Sequence, residues 1–224
     1  MLIHTRLRTA CPGIVATLLL AACSSGGNEA AKSPAANAEM DSLVSAGWLA
    51  EHLDDPDLVV IDCSVVIEVD DDGNFNSVSG REQYEQGHIP TAGFADLTDE
   101  LADAGSPLQF AVPSPEAFAA TMAALGVDDD SRVVLYDSYG STWAARVWWM
   151  LRWIGFDRAA LLDGGVDAWT AAGHELSTDL PKRSPGVLTP RVRPELIVDQ
   201  SEVHAAIADD SVTLIDALPE SSYN

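Results

Sequence analysis

The sequence predicts an α/β domain built on a parallel sheet, and three observations carry that expectation. Residues 132–169 run RVVLY, DSYGST, WAARVWWMLRWIGF and RAALLDGGVDAW, so two short apolar stretches flank an amphipathic segment of helical length. A parallel pair of strands joined in that way is a right-handed βαβ unit. Residues 58–61 form another uninterrupted apolar run, the pattern of a strand buried on both faces. The composition, 47% hydrophobic and 21% charged over 224 residues, is sufficient to bury a core.

Order begins near Leu43. Ser45 suits an N-cap for a short helix over 46–53, with Trp48, Leu49 and Leu53 on its apolar side. Asp54, Asp55, Pro56 and Asp57 break that helix ahead of the 58–61 strand, which ends at Asp62 and Cys63. Residues 70–79 read as a polar, solvated loop, whose acids lack the alternating oxygen ligands and closing glutamate of a calcium loop. A helical turn over 81–86 leads into Gly87-His88-Ile89-Pro90, where His88 reads as a packing histidine rather than a catalyst. Pro115 opens a helix running to about Leu125, with Phe118, Met122 and Leu125 at core spacing.

In parallel sheets chemistry gathers in loops at the carboxyl ends of strands, which singles out residues 137–142. The helix after that loop carries Trp143, Trp148, Trp149 and Trp153, expected to bury against the sheet or a partner domain. Gly164-Gly165 marks a turn that needs freedom in φ, and a last short helix over 166–171 closes at Gly173. Residues 177–194 hold Pro181, Pro185, Pro190 and Pro194 with Lys182, Arg183, Arg191 and Arg193. This reads as an extended basic segment, docked on an acidic domain surface or lying near an anionic substrate.

The formal charge of −23, from 35 acids and 12 bases, argues against nucleic acid as a partner of the folded surface. At the N-terminus Arg6 and Arg8 precede an apolar run over 14–20, too short to span a bilayer and suited to a signal peptide. Leu20-Ala21-Ala22-Cys23 follows and resembles the bacterial lipobox, in which Cys23 is acylated and becomes the first mature residue. Of the three cysteines only Cys63 then remains in the folded part, so neither a disulfide framework nor a cysteine metal site is expected. The last stretch repeats an earlier one. VSAGWLAEHLDDPDLVVID, ending at Asp62, aligns without gaps on VDQSEVHAAIADDSVTLID, ending at Asp216. Each copy reads cap, short helix, acidic break, buried strand, aspartate.

GHIPTAGFADL, VVLYD, AARVWWMLRWIGF and LLDGGVDAW, in this order, resemble the N-terminal domain of two-domain rhodanese-like sulfurtransferases, the thiosulfate and 3-mercaptopyruvate sulfurtransferase family. The resemblance implies a doubly wound parallel sheet flanked by helices, present twice in the full-length family. The expected layout is a lipoprotein signal peptide over 1–22, a flexible tether over 23–41 and a rhodanese-like domain over 42–180. A Pro-rich basic linker over 181–195 and the truncated start of a second copy over 196–224 complete it. The implied chemistry moves sulfane sulfur from a small anionic donor to a thiol or cyanide, through a cysteine persulfide and without a cofactor.

In this chain the position matching the persulfide cysteine, first after VVLY, is Asp137, and the resemblance implies that N-terminal domains of the family usually lack the cysteine. A carboxylate cannot carry sulfane sulfur. The second copy would bear the cysteine, and Asp216-Ala217-Leu218 departs from the Asp-Ala-Arg often found there. The chain alone is thus expected to be inactive, with no catalytic residue of its own. Cys63 reads as a half-buried structural thiol, and a redox or sulfur-carrier role for it is the weaker alternative. The other alternative is a non-catalytic lipoprotein acting as a binding or interaction module. Export would place the protein on the outer face of the cytoplasmic membrane or in the periplasm.

Overall fold

A computed structural model describes residues 40–217. Residues 1–22 and Cys23 lie outside them, as do most of the tether and Leu218. The chain runs β1 (Leu43–Val44), α1 (Ala46–His52), β2 (Leu58–Asp62), β3 (Val65–Val69), β4 (Phe75–Ser79), α2 (Arg81–Gln86) and β5 (Gly93–Phe94). It continues through α3 (Pro115–Ala124), β6 (Arg132–Tyr136), α4 (Thr142–Trp153), β7 (Ala159–Leu162), α5 (Gly165–Ala171) and α6 (Gln200–Ala206).

Five strands form one parallel sheet in the order β1-β7-β6-β2-β5. The central pair is in register from Leu58 opposite Arg132 to Asp62 opposite Tyr136. Side chains alternate across it. Val59, Ile61, Val133 and Leu135 face Phe118 and Met122 of α3 and Val147, Met150 and Leu151 of α4. Leu58, Val60, Val134 and Tyr136 face Leu49 of α1, Tyr84 of α2 and Trp169 of α5. Helices therefore cover both faces, which is why β2 and β6 read as unbroken apolar runs. Each such fully buried aliphatic side chain contributes about 1.5–3 kcal/mol.

Local signals set the helix starts. Ser45 Oγ accepts from Trp48 N at 3.1 Å to cap α1, and Ser114 Oγ accepts from Ala117 N at 3.2 Å ahead of Pro115 in α3. Gly164 and Gly165, with φ of 77° and 58°, make the turn into α5. Among the four tryptophans of α4, Trp153 is buried, while Trp148 keeps Nε1 2.9 Å from the Ala159 carbonyl.

The polar stretch over 70–79 is not a simple loop. Its second half, β4, pairs antiparallel with β3 from Val65 opposite Ser79 to Val69 opposite Phe75. Gly73 at φ 85° closes the turn, and the Asp70 carboxylate accepts from Asp72 N and Asn74 N at 3.0 and 2.8 Å. A three-residue hairpin loop with a left-handed glycine has this geometry. The hairpin projects from the carboxyl edge of the sheet between Ser64 and Gly80.

The basic segment lies along the domain. Gly186 N donates to Ala123 O at 2.8 Å, Arg191 N to Ile154 O at 2.7 Å and Thr189 N to Asp129 Oδ1 at 2.8 Å. Arg193 forms a bidentate pair with Asp157, holding that carboxyl below its usual range, and Arg183 reaches the Leu58 carbonyl. Beyond it the repeat is half realised. Asp199 caps α6 through a capping box with Glu202, as the aligned Ser45 caps α1. The strand expected over 212–215 does not form. Its counterpart β2 lies between β6 and β5, whereas Val212 and Ile215 have no neighbouring strand among the described residues and are 45% and 84% exposed.

Candidate functional site at the carboxyl edge of the sheet

The loop between β6 and α4 turns on two successive left-handed residues, Gly140 at φ 63° and Ser141 at φ 65°. That turn aims its amides inward. They converge on one side chain, the Asp137 carboxylate. Oδ1 accepts from Tyr139 N at 2.8 Å and Ser141 N at 2.9 Å, and Oδ2 accepts from Trp143 N and Ala144 N at 2.8 Å each. Asp137 is 1% exposed. Its own carbonyl is approached so closely by Gly165 that a Cβ there would stand 2.5 Å from the oxygen, so α5 can start here only with glycine.

Neighbouring groups tie the loop to β2 and α2. Ser138 N donates to Ser64 Oγ at 3.1 Å, and Ser138 Oγ donates to Gln83 Oε1 at 3.0 Å. Asp62 accepts from Ser64 N at 2.8 Å. Burial pushes the Asp62 carboxyl up against the lowering effect of the Ser64 hydrogen bonds, and the charge of Asp137 adds to the rise. A cleft of about 310 Å³ opens beside these groups, lined by Asp62, Ser64, Gln83, Ser138, Asp167 and Thr170 among others. None of its lining residues is a lysine or arginine.

Cys63 is fully buried rather than half-buried, because β2 carries it under the α3 and α4 face. Its sulfur lies 4.0 Å from the Ile61 carbonyl. Burial pushes the thiol well up, and the charges of Asp62 and Asp137 push it further. A thiolate is the reactive form, so burial and these charges disfavour reaction at Cys63. His88 is buried too, stacked on Tyr84 at 4.1 Å with Nδ1 2.8 Å from the Tyr84 carbonyl. It packs, as its turn context implies. The structure brings Asp137, Asp62 and Ser64 together at one edge. Ser64, Gln83 and Asp167 carry no signal in the sequence, since each depends on chain brought in from another element.

Four amides around a buried acid lie at the carboxyl edge of a doubly wound parallel sheet, the architecture that the sequence motifs imply. Comparison with known proteins agrees. The rhodanese-like domain matches residues 45–172. The 3-mercaptopyruvate sulfurtransferase of Escherichia coli K12 is 35% identical over 182 residues, covering 81% of this chain and 63% of that protein. Thiosulfate/3-mercaptopyruvate sulfurtransferase 2 of Arabidopsis thaliana is 31% identical over 241 residues, covering 98% of this chain and 68% of its own length. The crystal structure of SseA from Escherichia coli, a 3-mercaptopyruvate sulfotransferase with the rhodanese fold, superposes with a TM-score of 0.72 at 34% identity. That match covers 82% of this chain and 68% of SseA. The chain thus spans just under two thirds of the Escherichia coli sulfurtransferase, and with these residues in this arrangement it belongs to the rhodanese-like family.

Proposed function

We propose that residues 42–180 are the non-catalytic first domain of a two-domain sulfurtransferase, joined by a linker over 181–195 to the start of a second rhodanese-like domain at 196–224. In this reading sulfur moves through a cysteine of the second domain. Its thiolate attacks the sulfane sulfur of thiosulfate, sulfite leaves, and a cyanide or thiol acceptor takes the sulfur and regenerates the thiolate. With 3-mercaptopyruvate, pyruvate is the leaving product. The observation that carries the reading is the family match over residues 45–172, within which the sequence resemblance implies that Asp137 stands at the position of the persulfide cysteine. Residues 1–224 by themselves then transfer no sulfur. Cyanolysis after thiosulfate loading tests this, with thiocyanate expected at the level of a protein-free blank. Stoichiometric thiocyanate that disappears in Cys63→Ser would overturn it.

The N-terminal pattern supports export and anchoring through acylated Cys23, at the outer face of the cytoplasmic membrane or in the periplasm. Radiolabelled fatty acid fed to expressing bacteria is expected to enter the wild-type chain and not Cys23→Ser. Equal labelling of the two would remove the anchor from the proposal.

A second reading, a binding module, is favoured by the cleft over Asp62 and Ser138, which needs no nucleophile. The two readings part on the reading frame after Asn224. Coding for about one more domain with a Cys-led loop supports the enzyme, and an immediate stop codon supports the module.

A further inference from the structure

We infer that the cleft between Asp62 and Asp167 is a binding site for a small organic cation, an alkylammonium group held by the two carboxylates with its short apolar arm against Val166 and Leu176. The inference names a ligand class for the cleft on which the binding-module reading rests, and the sulfur chemistry proposed for a second domain does not depend on it.

The hydrogen bonds of the cleft wall leave it rich in acceptors. Asp62 ends β2, Gln83 stands on α2, Ser138 follows β6, and Asp167 and Thr170 lie one turn apart on α5. The hydroxyl protons are already committed to the protein. Ser138 Oγ donates to Gln83 Oε1 at 3.0 Å, and Thr170 Oγ1 donates to the Val166 and Asp167 carbonyls at 3.2 and 3.1 Å. Ser64 Oγ accepts from Ser138 N at 3.1 Å, and the same side chain bonds Asp62. What these hydroxyls can still offer a ligand is lone pairs. Beside them the Gln83 carboxamide nitrogen is a neutral donor.

Charge narrows the class further. Asp62 is 5% exposed, and a carboxylate so buried is ordinarily neutralised by a cation. Here no lysine or arginine lines the cleft, and among the described residues no basic side chain forms an ion pair with Asp62 or Asp167. The charge of Asp137 has the same sign and works against ionisation of Asp62. An ammonium group answers both needs, with N–H donors on a compact positive charge. Thiosulfate, a simple carboxylate or a zwitterionic amino acid does not, because no basic side chain of the wall meets its negative end. The net charge of −23 draws cations towards this surface and repels those anions. A volume of about 310 Å³ lies at the lower end for small-molecule sites and suits a short amine.

Titration of the isotope-labelled full chain with propylammonium chloride, followed by NMR, tests the inference. Ionic strength is held constant with sodium chloride, and propanol and sodium propionate serve as the neutral and anionic counterparts. Saturable amide shifts are expected around Ser64, Ser138 and Thr170, at concentrations at least about tenfold below those at which sodium produces them, with no comparable response to propanol or propionate. Asp167 is exposed, so Asp167→Asn is expected to fold as wild type does and to raise the apparent Kd about tenfold. Asp62→Asn is expected to raise it further, and should that variant fail to fold, Asp167→Asn decides alone. Shifts spread over the acidic surface overturn the inference, as does an affinity unchanged in Asp167→Asn. Calcium chloride acting at lower concentrations than the amine would make the cleft a metal site and overturn it too. Saturation by propanol or propionate in place of the amine would refute the cation while leaving the binding-module reading intact.

Discussion

Two side chains at the same edge of the sheet show how position sets chemistry. Asp137 lies in a polar nest, its two carboxylate oxygens accepting from four backbone amides. Cys63 stands one strand away with no donor and two acidic neighbours, which suppresses its thiolate. Reaction of Cys63 with Ellman's reagent therefore has to wait for the domain to open. For an opening free energy above about 4 kcal/mol, labelling is slowed by about a thousandfold or more relative to a free thiol. Site-resolved mass spectrometry, which separates Cys63 from Cys11 and Cys23, is expected to show that protection in native buffer and its loss in denaturant. Labelling of Cys63 at the free-thiol rate in the folded chain would show that the thiol is accessible after all. The place of Asp137 in the loop is legible in the sequence, because VVLY ahead of it marks the end of a strand. Its role is not, because nothing linear reveals that amides up to seven residues on will turn back to it.

At the scale of elements, legibility tracks burial. β2, β6, α3 and α4 are evident from periodicity because the sheet is covered on both faces, so the interior writes itself into consecutive residues. The β3–β4 hairpin has no such cover. Phe75 is 78% exposed and the FNSVS of β4 puts one apolar residue on each face among polar ones, so apolar alternation is missing. The usable signal is Asp72-Gly73, a turn pair at the position where a hairpin needs a left-handed residue. The basic segment is half legible. Its prolines announce an extended chain and its arginines announce acidic partners, but which carboxylates they meet depends on the fold. Arg193 finds Asp157, 36 residues away, while Arg183 and the amide of Gly186 find backbone carbonyls instead.

The whole molecule sets a strongly stabilised sheet domain beside a segment that repeats its opening without its context. Leu58 and Ile61 are fully buried in β2, while the aligned Val212 and Ile215 are exposed, although the two stretches share cap, helix and hydrophobic order. The difference lies in neighbours. β2 gains ladder bonds from β6 and β5 and cover from helices on both faces, and among the described residues α6 and the stretch after it have no strand pairing of this kind. Local signals suffice to start a capped helix, but a strand needs a partner. Substitution should expose this asymmetry. Val60→Ala removes two methyl-sized groups from the centre of the sheet and is expected to cost about 1–3 kcal/mol in urea unfolding. Ile207→Ser together with Ile215→Ser is expected to shift the same transition by less than about 0.5 kcal/mol. Hydrogen exchange should agree, with the amides of β2 and β6 opening only in global unfolding and those over 199–216 exchanging within seconds. A destabilisation by the double serine variant comparable to that of Val60→Ala, or slow exchange over 199–216, would mean that the second copy already shares the core of the first.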